Sequence, residues 1–472
     1  MIESRRATLQ TSIAILTGAY AALIAVMPNR NSAAAIAAPL VIVPVCCWIL
    51  LKPARWVGAF IGAAILLPPF PLALGNSGPH VCLAFAALGL FAGTLGLAEW
   101  RIRFDTLTRA CVLLFSVLLL SVGFAAIYSG AAIAAASLAR VLLFGIGLYI
   151  FFYMVYGPGA SFQSPAPSLR PLFWAAIVSA LFACVDFYYQ LPAPTGFGPQ
   201  YVWLASGVYR RAQGVFYEAS TLGNFCAFFV VMIAVALTRP RKEVPVSRPA
   251  LLLGGVVLSA ALVFSYSRAS VLNLAAALGA LLFLHRSRIR SRRAAAWLLI
   301  SIACGVAVSY LAFPSFVEIY WSRLIGSALY FFTYTGGILS GRLQSWQTLA
   351  EFLAERPWHI FLGVGYKTLP YSDFVGRPVI ADNMYLSMLV ETGIVGLAAL
   401  LWFNFAILQT AWRAAHQPDR PASFFGAWIF CFWVGQVFQM LSADLLTYWR
   451  VLPVYFLVLA WALPRTREHS FS

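Results

Sequence analysis

TRACVLLFSVLLLSVGFAAIY at residues 108–128 and LARVLLFGIGLYIFFYMVY at 138–156 decide the fold. Each is about 20 residues with one arginine near an end, and a helix of that length rises about 30 Å, the thickness of a bilayer's hydrocarbon core. Similar runs recur at 9–27, 33–51, 56–74, 81–98, 172–190, 219–238, 250–266, 270–284, 295–312, 383–412, 422–441 and 448–464, making fourteen expected spans. They read as helices, because unpaired backbone groups in hydrocarbon cost several kcal/mol each and the alternating pattern of a barrel strand is absent. The expected fold is therefore all-α: a polytopic integral membrane protein with a single membrane domain over 1–472.

Composition agrees. Of 472 residues, 62% are hydrophobic and 10% charged, against roughly 45–50% and 25% in soluble domains, and the mean hydropathy is +0.84. The eight cysteines all fall in apolar runs without metal-ligand spacing, so they read as small buried hydrophobes; no metal and no cofactor is implied. The run after Arg6 lacks a small-residue cleavage site and reads as an uncleaved first helix.

A net charge of +17 raises the question of nucleic acid, and the distribution answers it. With the N-terminus inside, the inner segments hold 21 of the 32 basic and six of the 15 acidic residues, a net +15 inside against +2 outside. That asymmetry is the positive-inside rule. Inner clusters such as HRSRIRSRR need only anionic headgroups to explain them, so nucleic-acid binding loses its support. Both termini are expected on the cytoplasmic side.

Two connections are long, 191–218 and 313–381, and both fall on the external face. The second carries Trp321, Trp346 and Trp358. Within it Ser340 suits the cap of an amphipathic helix through Leu343, Trp346, Leu349 and Leu353, stopped by Pro357 and lying on the membrane or over a cavity. Ionisable groups avoid the middle of the membrane: Arg140, Asp186, Glu218, Arg268, Asp382, Asp444 and Arg450 sit at or near external helix ends, and only Glu391 lies deeper.

Three segments concentrate chemistry. In VYRRAQGVFYEAS at 208–220, Arg210 and Arg211 precede a glycine and Glu218 opens a helix; guanidinium suits phosphate, though paired arginines outside a helix also suit snorkelling to headgroups. In FSYSRAS at 264–270 a short turn keeps Arg268 near the membrane. In GVGYKTLPYSDFVGRPVIADNMYLSMLVETGIVGL at 363–397, Asp382 suits either a helix cap or a catalytic carboxylate, and Glu391 a bond to a neighbouring helix.

Together these segments resemble the O-antigen ligase and O-antigen polymerase (Wzy-type) superfamily of bacterial inner-membrane glycosyltransferases, over roughly 205–445. The match rests on Arg211 to Gly214, Ser267 with Arg268, the SGRLQSW start of the loop helix, the GVGY turn, and Asn383 with Tyr385, Leu386, Glu391 and Gly393. The resemblance implies metal-independent, inverting transfer of a glycan from an undecaprenyl-pyrophosphate carrier to an acceptor hydroxyl on the periplasmic side. It maps the pyrophosphate clamp onto Arg211 and Arg268, with Arg210 beside them. Asp382 is the first choice of base and Glu218 the second, and Asn383, Tyr385, Arg342 and Tyr366 form the expected acceptor or glycan-binding set.

In the ligases a histidine typically precedes the asparagine of this motif. Here that position is Asp382, which tilts the expectation to polymerisation of lipid-linked repeat units, with ligation to lipid A core or protein as the alternative. A lipid-linked oligosaccharide flippase is the reading further off, since transport calls for polar midplane residues and usually an internal repeat. The expected partners are the lipid-linked glycan, an acceptor glycan, the bilayer and other polysaccharide assembly proteins.

Overall fold

A computed structural model describes residues 20, 30–52, 54–70, 79–158, 165–193, 196–204, 207–240, 244–284, 318, 342–417 and 420–463. Expectations that fall on the spans 9–27 and 295–312, on Ser340 and on HRSRIRSRR lie outside these. The elements in chain order are α1 (Arg30–Leu50), α2 (Arg55–Leu66), α3 (Cys82–Leu95), α4 (Thr106–Ser129), α5 (Ala131–Tyr156), α6 (Pro165–Tyr189), β1 (Tyr201–Leu204), β2 (Gly207–Arg210), α7 (Ala219–Leu237), α8 (Arg248–Phe264), α9 (Arg268–Leu284), α10 (Arg342–Glu355), α11 (His359–Leu362), α12 (Met384–Ala415), α13 (Arg420–Gln439) and α14 (Leu452–Ala462). Six of them, α4, α5, α6, α7, α12 and α13, are long and apolar enough to cross a membrane, and α1, α2, α3, α8, α9 and α14 are shorter apolar helices. The chain is a mostly helical, multi-pass membrane protein.

Local chemistry sets the boundaries. Asp105 caps α4, its Oδ1 accepting from the Thr108 amide at 2.7 Å, and Gly130 at φ +86° turns the chain into α5. Within the bundle α7 is the hub: 78% of its apolar window is buried inside the protein, against 33% for α4 at the periphery. Around it pack α6, α8, α9 and α13, with α12 and α14 against α13. Phe228 of α7 lies 4.3 Å from Trp428 and 4.4 Å from Tyr455, ring centroid to centroid.

A belt of uncharged amides crosses this core. Asn224 and Asn273 both donate to Gln439 Oε1 at 2.8 Å, while Gln436 at 3.1 Å and the Tyr455 hydroxyl at 2.6 Å donate to Asn224 Oδ1. These bonds tie α7, α9, α13 and α14 together, each worth about 1 kcal/mol in a membrane interior. The sequence reading weighed ionisable groups and passed over these amides.

Connections between antiparallel helices bring one end of the bundle together: the C-termini of α2, α4, α6, α8 and α13 and the N-termini of α3, α5, α7, α9, α12 and α14. Arg450 locks it. Its buried guanidinium donates to the carbonyls of Ala64 (2.7 and 3.0 Å) and Leu67 (2.6 Å) at the end of α2, and to Val215 at 2.6 Å. The Ala64 and Leu67 carbonyls lie at the C-terminal end of α2, where acceptors lack helical partners and positive charge is favoured.

The described part of the long second loop forms its own small core over this end. Leu349, Phe352 and Leu353 of α10 pack against Val364, Leu369, Val375, Val379 and Val390. The helix covers the expected apolar stripe and stops at Glu355, ahead of the residue that precedes Pro357.

Candidate active site

The first long connection contains a two-stranded antiparallel ribbon in which Tyr201 stands opposite Arg210. The Arg211 amide continues the ladder to the Gln200 carbonyl at 2.8 Å. Successive side chains of an extended chain point to opposite faces, so the two arginines separate. Arg210 turns to α6, pairing with Asp186 at 3.2 Å and donating to the Leu191 carbonyl at 3.0 Å. Arg211 turns to the Ser-Arg turn, its Nε donating to the Ser265 carbonyl at 2.9 Å.

Gly214 lets the chain that follows pass close to α6. It adopts φ +54°, and a Cβ there would stand 2.9 Å from that of Ala183 in α6. Beyond it Gln213 and Gln200 fasten the loop to α7: Gln213 donates to the carbonyls of Tyr217 (2.8 Å) and Gly198 (3.1 Å), and Gln200 Oε1 takes the Ala219 amide at 3.0 Å, one of the orphan donors of α7.

The turn 264–268 lies directly on α7. Gly223 provides the space: a Cβ there would stand 2.8 Å from the hydroxyls of Ser265 and Ser270. The Ser267 and Ser270 hydroxyls bond each other at 2.8 Å, which fixes Arg268 at the first position of α9. A helix N-terminus is already positive, so Arg268 adds charge of the same sign, an arrangement that suits an anionic ligand. Arg268 stands within electrostatic reach of Arg211 on one side and Arg342 on the other.

Arg342 opens α10 and pairs through Nε with Asp382 at 3.1 Å. Asp382 stands at φ +47°, with about half of its side chain exposed. The cap of α12 belongs to its neighbour: Asn383 Oδ1 accepts from the amides of Tyr385 (3.1 Å) and Leu386 (3.2 Å). The Tyr385 hydroxyl donates to the Val437 carbonyl of α13 at 2.9 Å. Tyr366 is buried, its carbonyl accepting from Ser137 at 2.6 Å and its amide donating to Ser121 at 3.3 Å.

Glu218 precedes α7 and accepts from the Thr221 hydroxyl at 2.6 Å. Burial pushes its carboxyl above the ordinary range, opposed by that bond and by Arg211. Burial also lowers the Arg211 guanidinium, which Tyr448 and Glu218 counter. Lys367 forms an ion pair with Asp444. Burial works against its ammonium, but Asp444 and Glu391 more than offset that and hold it above the ordinary value.

The structure thus gathers Arg211, Arg268, Arg342, Glu218 and Asp382 along one rim, places Arg210 against α6, and uses Asn383, Tyr385 and Tyr366 in backbone contacts. Sequence reasoning missed Lys367 and Tyr448 as neighbours of Glu218. One signal was available for the lysine. The chain has only three, and Lys52 and Lys242 fall in segments read as cytoplasmic, which leaves Lys367 as the external one.

A multi-pass helical membrane protein with a cationic, carboxylate-bearing rim at one end of its bundle is the class these features define. Residues 253–401 match the O-antigen ligase family model, which supports the resemblance of this stretch to the O-antigen ligase and polymerase superfamily. The matched region holds Arg268, Arg342, Lys367, Asp382 and Glu391, and is narrower than the 205–445 over which the motifs resemble the superfamily. Arg211 and Glu218 precede it and Asp444 follows it. Comparison with curated proteins gives no match.

Proposed function

We propose that the protein elongates a surface polysaccharide, an O-antigen or exopolysaccharide, from undecaprenyl-pyrophosphate-linked repeat units on the periplasmic face of the inner membrane. The single observation that carries this reading is the rim of Arg211, Arg268 and Arg342, contributed by three separate elements and flanked by Glu218 and Asp382. A lipid diphosphate keeps its tail in the bilayer and its headgroup at the membrane edge, where such a rim meets it.

In this reading Arg211 and Arg268 hold the diphosphate and stabilise the charge that develops as the anomeric C–O bond breaks. The acceptor hydroxyl attacks the anomeric carbon, its proton passes to Asp382, and the bonding electrons leave with the diphosphate. Direct displacement inverts the anomeric centre. Arg342 orients Asp382, and α10 with its loop core covers the acceptor path. No cofactor takes part. Fourteen spans with both termini in the cytoplasm complete the proposed topology.

The test is an assay of purified protein in proteoliposomes with lipid-linked repeat units as the sole glycan. Longer chains are expected, and Arg211→Ala and Arg268→Ala should each abolish them while insertion into the membrane is retained. Product that forms only on addition of lipid A core or protein acceptor would select ligation, the activity for which the matched family is named. Normal turnover in either arginine variant would defeat the clamp.

A further inference from the structure

The turn 363–369 is fastened from three sides. Val364 and Gly365 donate to the carbonyls of Val390 (3.1 Å) and Glu391 (2.8 Å), and the Leu369 amide to Glu391 Oε1 at 3.3 Å. From α4 and α5, Ser121 and Ser137 hold the Tyr366 backbone. Lys367 itself stands at φ +58°, a conformation few lysines adopt. Such strain persists where the surroundings over-determine it, and it clusters at functional sites.

The result is a buried ammonium directed at Asp444, between α13 and α14. Asp444 is fixed too, its Oδ1 accepting from the Leu446 amide at 3.2 Å. Glu218 lies within electrostatic reach of both partners. The charged and titratable groups that face it are Arg211 from the loop after β2, Lys367 from this turn, and Asp444 and Tyr448 from the segment before α14, while its own helix contributes the Thr221 hydroxyl.

We propose that Lys367 and Asp444 are a positioning pair that sets the charge of Glu218 beside Arg211. What Glu218 then does in turnover rests on the glycosyl-transfer reading; the control of its charge does not. Paired, the two groups are close to neutral as a unit, and Glu218 responds to burial and to Arg211. Without the lysine, the Asp444 carboxylate faces Glu218 unbalanced and favours its protonated form. Without the aspartate, the ammonium is unbalanced and favours the ionised form. A buried brace of structural function alone has no reason to move Glu218 in opposite directions.

Infrared spectroscopy of the protein in liposomes tests this without requiring turnover. The carboxylic acid band of Glu218, identified by its loss in Glu218→Gln, is followed across pH. Lys367→Met is expected to raise the midpoint by about one pH unit or more, and Asp444→Asn to lower it by about as much. The double variant should titrate near the wild-type pH, and Lys367→Arg, which keeps the charge, should leave the midpoint in place. Shifts in one direction only, no shift, or a displaced midpoint in Lys367→Arg would overturn the proposal. Should one single variant fail to fold, the shift of the other, set against Lys367→Arg and the double variant, decides it. Wild-type protein that titrates as expected but elongates no lipid-linked glycan would sink the functional reading and leave this one standing.

Discussion

At residues 382 and 383 two adjacent polar side chains do different work, whereas the sequence suggested Asp382 as either cap or base and Asn383 as an acceptor-binding residue. Either one suits an N-cap by type. The backbone separates them: Asn383 is extended and caps α12, while Asp382 is left-handed and turns its carboxylate to Arg342. Asn383→Ala is therefore expected to cost about 1 kcal/mol of stability through the lost cap, read as a lowered melting temperature in detergent. Asp382→Asn should leave that temperature nearly unchanged, because an exposed ion pair contributes at most about 1 kcal/mol and asparagine accepts the left-handed conformation. In the elongation assay the order should reverse, with Asp382→Asn losing roughly 100-fold or more. Equal effects of the two substitutions on melting and on turnover would remove the division of labour. The same scale shows what residue type alone reveals. Arg211 and Arg268 stood out in sequence as guanidinium groups beside apolar helix ends, whereas the divergence of Arg210 from Arg211 follows from strand pleating that no charge count displays.

Among the elements, α12 departs most from its appearance in sequence. The apolar run 383–412 reads as one uninterrupted span, but Gly393 at φ +70° and ψ −173° breaks it. The break has a purpose visible in the hydrogen bonds. The carbonyls of Val390 and Glu391, which a continuous helix would satisfy internally, instead receive the amides of Val364 and Gly365. The kink is thus the docking point for the turn that carries Lys367. A Cβ on Gly393 would collide with the Phe361 carbonyl, and only glycine tolerates that backbone conformation. Gly393→Ala is expected to destabilise the protein by roughly 2–4 kcal/mol, measured as earlier thermal unfolding in detergent. It should also restore amide hydrogen-exchange in the 364–369 turn, as those amides lose their acceptors. A variant with unchanged melting and unchanged exchange at 364–369 would mean that the turn is held by something other than the kink. The amphipathic helix α10 was legible for the opposite reason: a polar segment with apolar residues at helical spacing announces both its conformation and its buried face.

For the molecule as a whole, lipid as solvent made the helices readable and their neighbours unreadable. A run that is apolar on every side satisfies its backbone as a helix wherever it lies, but it shows no preferred face, so the central place of α7 and the amide belt around it emerged only in three dimensions. Charge carries the remaining information. Among the described residues, the end of the bundle away from the rim holds Lys52, Arg55, Arg101, Arg103, Arg109, Arg170, Arg239, Arg248 and Arg413 with Glu99 and Asp105 as acids, whereas at the rim the arginines stand among Asp186, Glu218, Asp382 and Asp444. Excess positive charge is retained on the cytoplasmic side during insertion, so this polarity supports the proposed orientation with the rim outward, the face on which lipid-linked glycans would have to be presented. Single cysteines introduced on a cysteine-free background at Asp373, exposed near the rim, and at Glu99, exposed at the opposite end, read that orientation directly. In spheroplasts a membrane-impermeant maleimide is expected to label the residue-373 cysteine at once and the residue-99 cysteine only after the membrane is opened. The reverse order would place the arginine rim in the cytoplasm, facing soluble nucleotide-linked donors rather than a lipid diphosphate on the outer leaflet, and the proposed reaction would then lack its substrate.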